Sequence, residues 1–166
     1  MSGSMRTNPR QQVEPSCGPS IGSSSVDGVP HYVTKSGTQE IFSRVSDLAA
    51  SLVRVDGVVV QRQNPSQLVY AWPLAVGKSW EQSYVLERPV DRQTTNYDIL
   101  NTVDAEETIT VPAGTFRTLK IVGRNRNTST LVYEKWYAPD VKSYVRDRYV
   151  LSNGIEEREL LAFKLK

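Results

Sequence analysis

Side chains that could do chemistry are few in this chain. His31 is the single histidine and Cys17 the single cysteine. One Cys excludes an intramolecular disulfide and a cysteine-based zinc site, and one His excludes most catalytic metal sites. His31 follows Pro30 with no Ser, Cys or acidic partner at a useful spacing, and reads as a solvated side chain. Glycoside hydrolysis needs only two carboxylates. The candidates on expected strands are Asp98, Asp104, Glu106, Glu107, Glu134 and Asp147. Most stand where exposed cross-strand pairing with a basic residue explains them. Glu134, between Tyr133 and Lys135 and two residues before Trp136, is the best candidate for an inward charge. Its plainer reading is an outward partner for an arginine.

Arg124-Asn125-Arg126-Asn127, with Lys120 and Arg117, is the most basic local segment. It lacks the interleaved aromatics that single-stranded nucleic acid stacks on, and Thr128-Ser129-Thr130 after it suits an exposed loop. The balance of 20 basic against 18 acidic residues is even along the chain, 7 against 6 up to Tyr84 and 13 against 12 beyond it. An electrostatic nucleic-acid binder shows a basic excess, so nucleic acid is not an expected partner. The aromatics say more. Trp80, Tyr84, Phe116, Tyr133, Trp136 and Tyr149 fall on expected strands, where they either fill a core or line a cavity for an apolar ligand.

The elements that position them read as strands. Ile41–Val45, Val58–Gln63, Trp80–Glu87, Tyr97–Ala105, Thr108–Val111, Phe116–Val122, Leu131–Tyr137, Ser143–Leu151 and Ile155–Leu165 are rich in Val, Ile, Thr, Tyr and Trp, residues that suit a pleated, half-buried surface. Asp56-Gly57 and Asn153-Gly154 between them are hairpin signals. Gly77, Pro112, Gly114 and Pro139 mark structural turns. Val45 to Arg54 has helical spacing at Leu48, Ala49, Leu52 and Val53, so it either forms one short helix or leads into a strand. Short connections without βαβ spacing predict an all-β antiparallel meander. Its sheet is expected to curve strongly into a barrel or half-barrel, with at most one short helix.

Residues 1–30 are rich in Ser, Gly, Pro and Gln and have no aromatic, which predicts a disordered tail. Met1 to Ser4, before a second Met at Met5, read as a leader added for expression. Residues 31–166 are then one β domain, long enough to bury roughly 70 % of its unfolded surface. No apolar run approaches the roughly 18 residues of a membrane span, and no signal peptide is visible.

Three segments together resemble a known group. Trp72-Pro73-Leu74-Ala75-Val76-Gly77-Lys78-Ser79-Trp80, Val111-Pro112-Ala113-Gly114-Thr115-Phe116, and Trp136-Tyr137-Ala138-Pro139-Asp140-Val141 with Tyr144-Val145-Arg146 occur in this order. They are similar to the TapB-like group of bacterial secreted or envelope-associated β proteins of unknown function, many of them lipoproteins. The resemblance spans about Leu68 to Lys164. It implies an antiparallel curved sheet, a periplasmic or envelope setting and no established catalytic residue.

The expected function is a non-enzymatic binding or structural module of the bacterial cell envelope, without cofactor or metal. Its partner is an apolar ligand or another envelope protein, with Trp80, Tyr84, Phe116, Tyr133, Trp136 and Tyr149 as the ligand-binding candidates. One alternative is a half-barrel carrier of a lipid or acyl chain. The other is a carbohydrate-active enzyme using paired carboxylates.

Overall fold

Eleven strands make up the computed structural model, which describes residues 22–36 and 38–160. They are β1 (Gly22–Val26), β2 (Val29–Ser36), β3 (Gln39–Arg44), β4 (Ala50–Val55), β5 (Val58–Gln67), β6 (Ser79–Arg88), β7 (Gln93–Val111), β8 (Gly114–Asn125), β9 (Leu131–Ala138), β10 (Ser143–Leu151) and β11 (Gly154–Glu159). Each pairs antiparallel with the next, so spatial order repeats chain order and the meander is complete. The two end strands do not pair with each other. The sheet is therefore open: of the two expected forms, barrel or half-barrel, it is not the barrel. Closure requires the outer strands to meet at a fixed tilt and stagger. Here β11 carries Glu156, Glu157, Arg158 and Glu159 in succession, a charged edge that discourages further pairing.

One further expectation changes. The proposed tail reaches too far: residues 22–30 form β1 and the start of β2, closed by Asp27-Gly28 with φ of 50° and 79°. Positive φ at both central residues defines the hairpin turn that asparagine or aspartate followed by glycine adopts. Asp56-Gly57 repeats it at 50° and 78°. An exposed edge strand needs little apolar surface, so the Ser-rich composition of β1 hid it. Cys17, residues 1–4 and the rest of the expected tail, like the end of the expected last strand, lie outside the described residues.

No helix forms among the described residues. Residues 45–48 turn instead, with Leu48 N donating to Arg44 O at 2.8 Å and Arg44 Nε to Asp47 Oδ1 at 3.0 Å. Leu48 then adopts φ 59°, outside the right-handed helical region, and β4 begins at Ala50.

β7 joins two expected strands into one of 19 residues. A register shift between Val103 and Ala105 leaves Asp104 unmatched, a bulge that reverses which face each later residue of β7 presents. At its end, Pro112 and Ala113 turn the chain and Gly114 leaves the turn at φ 137°. A Cβ there would sit 3.7 Å from the Phe116 ring, an ordinary contact, so the constraint is backbone conformation. Gly114→Val is expected to destabilise by about 1–3 kcal/mol, measured by chemical denaturation. A change below a few tenths would show that the turn does not depend on it.

Candidate functional site

Register and alternation sort the side chains of β6–β10 into two faces. On the first face, Trp80 stands opposite Asn101, Asn101 opposite Gly123, Gly123 opposite Tyr133, and Tyr133 opposite Tyr149, one row crossing all five strands. Beside it lie Gln82 and Tyr84 of β6, Tyr97 and Ile99 of β7, and Lys135 and Tyr137 of β9. Trp136 and Glu134, one residue out of phase with these, face the other way. They share the second face with Phe116, Val111, Ala138 and Val145.

The six predicted ligand-binding residues are thus divided. Trp80, Tyr84, Tyr133 and Tyr149 lie on the first face, and Phe116 and Trp136 belong to an apolar cluster on the second. The sheet does not bring them to one surface.

Glycine at 123 shapes the first face. A Cβ there would sit 2.5 Å from Tyr133 Cζ, so only glycine lets the Tyr133 ring lie flat across β8. The ring carries its hydroxyl over to β7 and β6, where it donates to Asn101 Oδ1 and accepts from Gln82 Nε2 at 2.9 Å. Gln82 Oε1 and Asn101 Nδ2 stay without a partner, and flipping both amides would exchange the orphans without removing them. Lys135, 6 % exposed, sits among tyrosines: its Nζ lies 4.6 Å from the Tyr144 ring centre, 5.0 Å from Tyr133 and 5.2 Å from Tyr149. Cation–π attraction compensates part of the lost hydration of the ammonium. Burial pushes the Tyr84, Tyr133 and Tyr144 phenols above their usual range, so all three remain neutral donors at neutral pH.

The connection between β5 and β6, residues 68–78, crosses this face and covers it. Leu68, Tyr70, Ala71 and Leu74 pack on Trp80, Val103, Ile121 and Tyr137. Tyr70 is stacked on Trp72 at 5.4 Å, meets Tyr137 edge-on at 5.3 Å and lies 5.3 Å from Tyr144. Trp80 Nε1 donates to Leu68 O at 3.2 Å, and Gly77 N to Val103 O at 2.8 Å. The strap leaves a groove of about 520 Å³ at one end, lined by Leu74, Val76, Leu119 and Pro139 with Arg117 and Asp140 at its rim. Of the turn residues, Gly77 (φ 88°) anchors the strap and Pro139 borders that groove.

The candidate acids and bases are engaged elsewhere. Glu134 is buried on the second face between Lys120 Nζ (2.9 Å) and Arg148 Nη1 (3.1 Å). Asp98 binds Arg126 and Ser83, Glu106 binds Arg117, Glu107 accepts from Trp136 Nε1 and Asp147 binds Arg158. Asp104 is the exposed bulge residue. In the basic segment, Arg126 also pairs with Glu81, and Arg124 Nη1 caps Ser129 O. His31 corrects the reading of a solvated side chain, being 2 % exposed and held at both ring nitrogens. Lys135, Asn101 and Gln82 were missed. Their only signal was phase: Lys135 falls two residues from Tyr133, Gln82 two from Trp80 and Asn101 two from Ile99 and Val103, each on its own strand. Among the described residues no group of three or more His, Cys, Asp or Glu could hold a metal ion.

No family model matches the chain, and no curated protein matches it. Among solved structures it is similar to a "putative lipoprotein" from Parabacteroides distasonis ATCC 8503, at 15 % identity, 83 % coverage of each chain and a TM-score of 0.38. No helix among the described residues is long and apolar enough to cross a membrane.

Proposed function

We propose that this chain is a non-enzymatic binding or structural module of the bacterial cell envelope, with its partner surface at the strap-covered end of the first face. The strap carries this reading. Aromatic surface that would line an open carrier cavity is occupied by the chain's own Leu68, Tyr70 and Leu74. The apolar surface left to a partner is on and beside the strap: Trp72 is 50 % exposed, and Val76, 56 % exposed, lines the groove with Leu119 and Pro139. Exposed apolar residues beside a groove favour association over solvation. The envelope setting rests on the resemblance of the three segments. Two of them coincide with elements that close this end, the strap with its launch into β6 and the β9–β10 turn at Pro139.

The carrier reading keeps one favourable observation. Tyr144 OH reaches Val69 O only at 3.5 Å, so the middle of the strap is held mainly by edge-on and tilted ring contacts to Tyr137 and Tyr144. Titrating an environment-sensitive apolar dye while following tryptophan fluorescence separates the two. Weak, non-saturating binding is expected for the natural chain, and a single site is expected to open when Tyr70 and Trp72 are both replaced by Ser. Saturable micromolar binding to the unaltered chain would replace the module reading with the carrier one.

A further inference from the structure

A second polar cluster lies away from the strap, in β2, β4 and β5. Ser51 is skipped by both neighbours of its strand. Against β3, Leu52 pairs with Phe42 and Ala50 with Ser43. Against β5, Leu52 pairs with Arg62 and Ala50 with Gln67, so residues 63–66 have no partner in β4, while Gln63 and Asn64 still pair with β6. A bulge of this kind re-aims the side chain it carries. Ser51 Oγ comes 2.7 Å from His31 Nε2, and Ser66 Oγ, in the stretch of β5 that β4 skips, comes 2.8 Å from Ser51 Oγ. His31 Nδ1 lies 2.8 Å from Val29 O.

The proton positions follow from these contacts. A carbonyl only accepts, so Nδ1 carries the hydrogen given to Val29 O. In the neutral imidazole Nε2 then accepts, and the one proton of Ser51 goes to it. Ser51 Oγ is left to accept from Ser66. The chain runs in one direction, from Ser66 through Ser51 to His31, with the imidazole oriented by a backbone carbonyl. A base held by a third group, within hydrogen-bond reach of a hydroxyl, is the arrangement that activates a serine. Ser51 itself is 8 % exposed, whereas Ser66 is half-buried and follows the exposed Asn64 and Pro65. Of the two serines, Ser66 is the more exposed and stands at the outer end of the chain of hydroxyls.

We infer that Ser66 is a base-activated acceptor hydroxyl that takes one acyl group from a small activated ester. Ser66 Oγ attacks the carbonyl carbon, a new C–O bond forms, and the bond from that carbon to the leaving oxygen breaks. The Ser66 proton passes to Ser51 Oγ as the Ser51 proton passes to His31 Nε2, and the alcohol or phenol leaves as its anion. The transfer is stoichiometric and ends at the ester. It goes beyond the module reading and does not depend on the strap.

The test uses p-nitrophenyl acetate on the full chain, with acetyl occupancy of each serine followed over time by peptide mass spectrometry. Ser152, exposed in the β10–β11 turn, is the internal comparison. A positioned base contributes about 10²–10⁴-fold, so Ser66 is expected to acetylate about 100-fold faster than Ser152. Ser51→Ala, which removes one hydroxyl, and His31→Gln are each expected to bring Ser66 down to the Ser152 rate. The Ser66–Ser152 ratio in the unaltered chain needs no variant to fold. Equal rates at the two serines, or an unchanged Ser66 rate in folded Ser51→Ala, would overturn the assignment.

Discussion

Gly123→Ala is expected to destabilise the chain by about 3 kcal/mol, near the upper end for overpacking a core, and to lower Tm by about 6–12 °C at this chain length. The added methyl would lie 2.5, 2.6 and 2.9 Å from Tyr133 Cζ, Cε2 and Cε1. A flexible side chain would swing away, but this ring cannot. Its hydroxyl is fixed by Asn101 and Gln82, Lys135 lies over it, and Tyr149 stands 5.8 Å from it on the next strand. Relief would come only from parting β8 and β9 or breaking the hydroxyl's two hydrogen bonds. Thermal and urea unfolding measure the loss, and a Tyr133→Leu background identifies its cause. With the ring gone, Gly123→Ala is expected to cost under about 1 kcal/mol, so the two substitutions couple strongly. A cost that persisted in that background would mean that the backbone at 123, and not the ring, requires glycine.

Gly123 also marks the boundary of what the sequence makes legible. Strand existence is read from β-branched and aromatic runs, and those runs place β3 and β5–β11 close to where they lie. Hairpin chemistry is equally local: Asp27-Gly28 has the same signature as Asp56-Gly57, and went unread because of the Ser-rich strand before it. Face assignment is different. It depends on an unbroken period of two, and one unmatched residue reverses it. The bulge at Asp104 puts Val103 on the first face and Glu107 on the second, and nothing in Thr102-Val103-Asp104-Ala105 signals it. The expected single aromatic surface fails for a simpler reason: Tyr133 and Trp136 are three residues apart on β9 and Phe116 is seven from Gly123 on β8, odd spacings that alternation puts on opposite faces. Long-range contacts are less legible still. His31 and Ser51 are 20 residues apart and meet through a bulge that no local pattern encodes.

Glu134→Ala is the second large effect expected, about 3 kcal/mol, from the low end of the cost of breaking a buried ion pair. The carboxylate gives one oxygen to Lys120 and the other to Arg148. Removing it leaves two cations facing each other across β9 with no shared counter-charge. Arg148 is 39 % exposed and retains Glu157 at 3.2 Å, which keeps the cost from rising further. Lys120 has less recourse. Its Nζ lies over the Trp136 ring at 5.3 Å, while Arg146 lies 5.6 Å from the same ring. The indole between them donates to Glu107 Oε2 at 2.8 Å. Loss of Glu134 therefore loosens the packing of Trp136 along with the ion pairs, and quenching of its fluorescence by acrylamide should rise. Replacing Lys120, Glu134 and Arg148 together by Met, Leu and Met is expected to restore most of the stability, because three matched apolar side chains avoid the desolvation that the ion triad incurs. If Glu134→Ala unfolds within about 0.5 kcal/mol of the unaltered chain, the triad is a solvated surface feature and Glu134 is free for another role. If the single substitution is costly and the triple one is not, the carboxylate at the centre of β9 is explained by its two cations, and the paired-carboxylate enzyme loses its best inward acid.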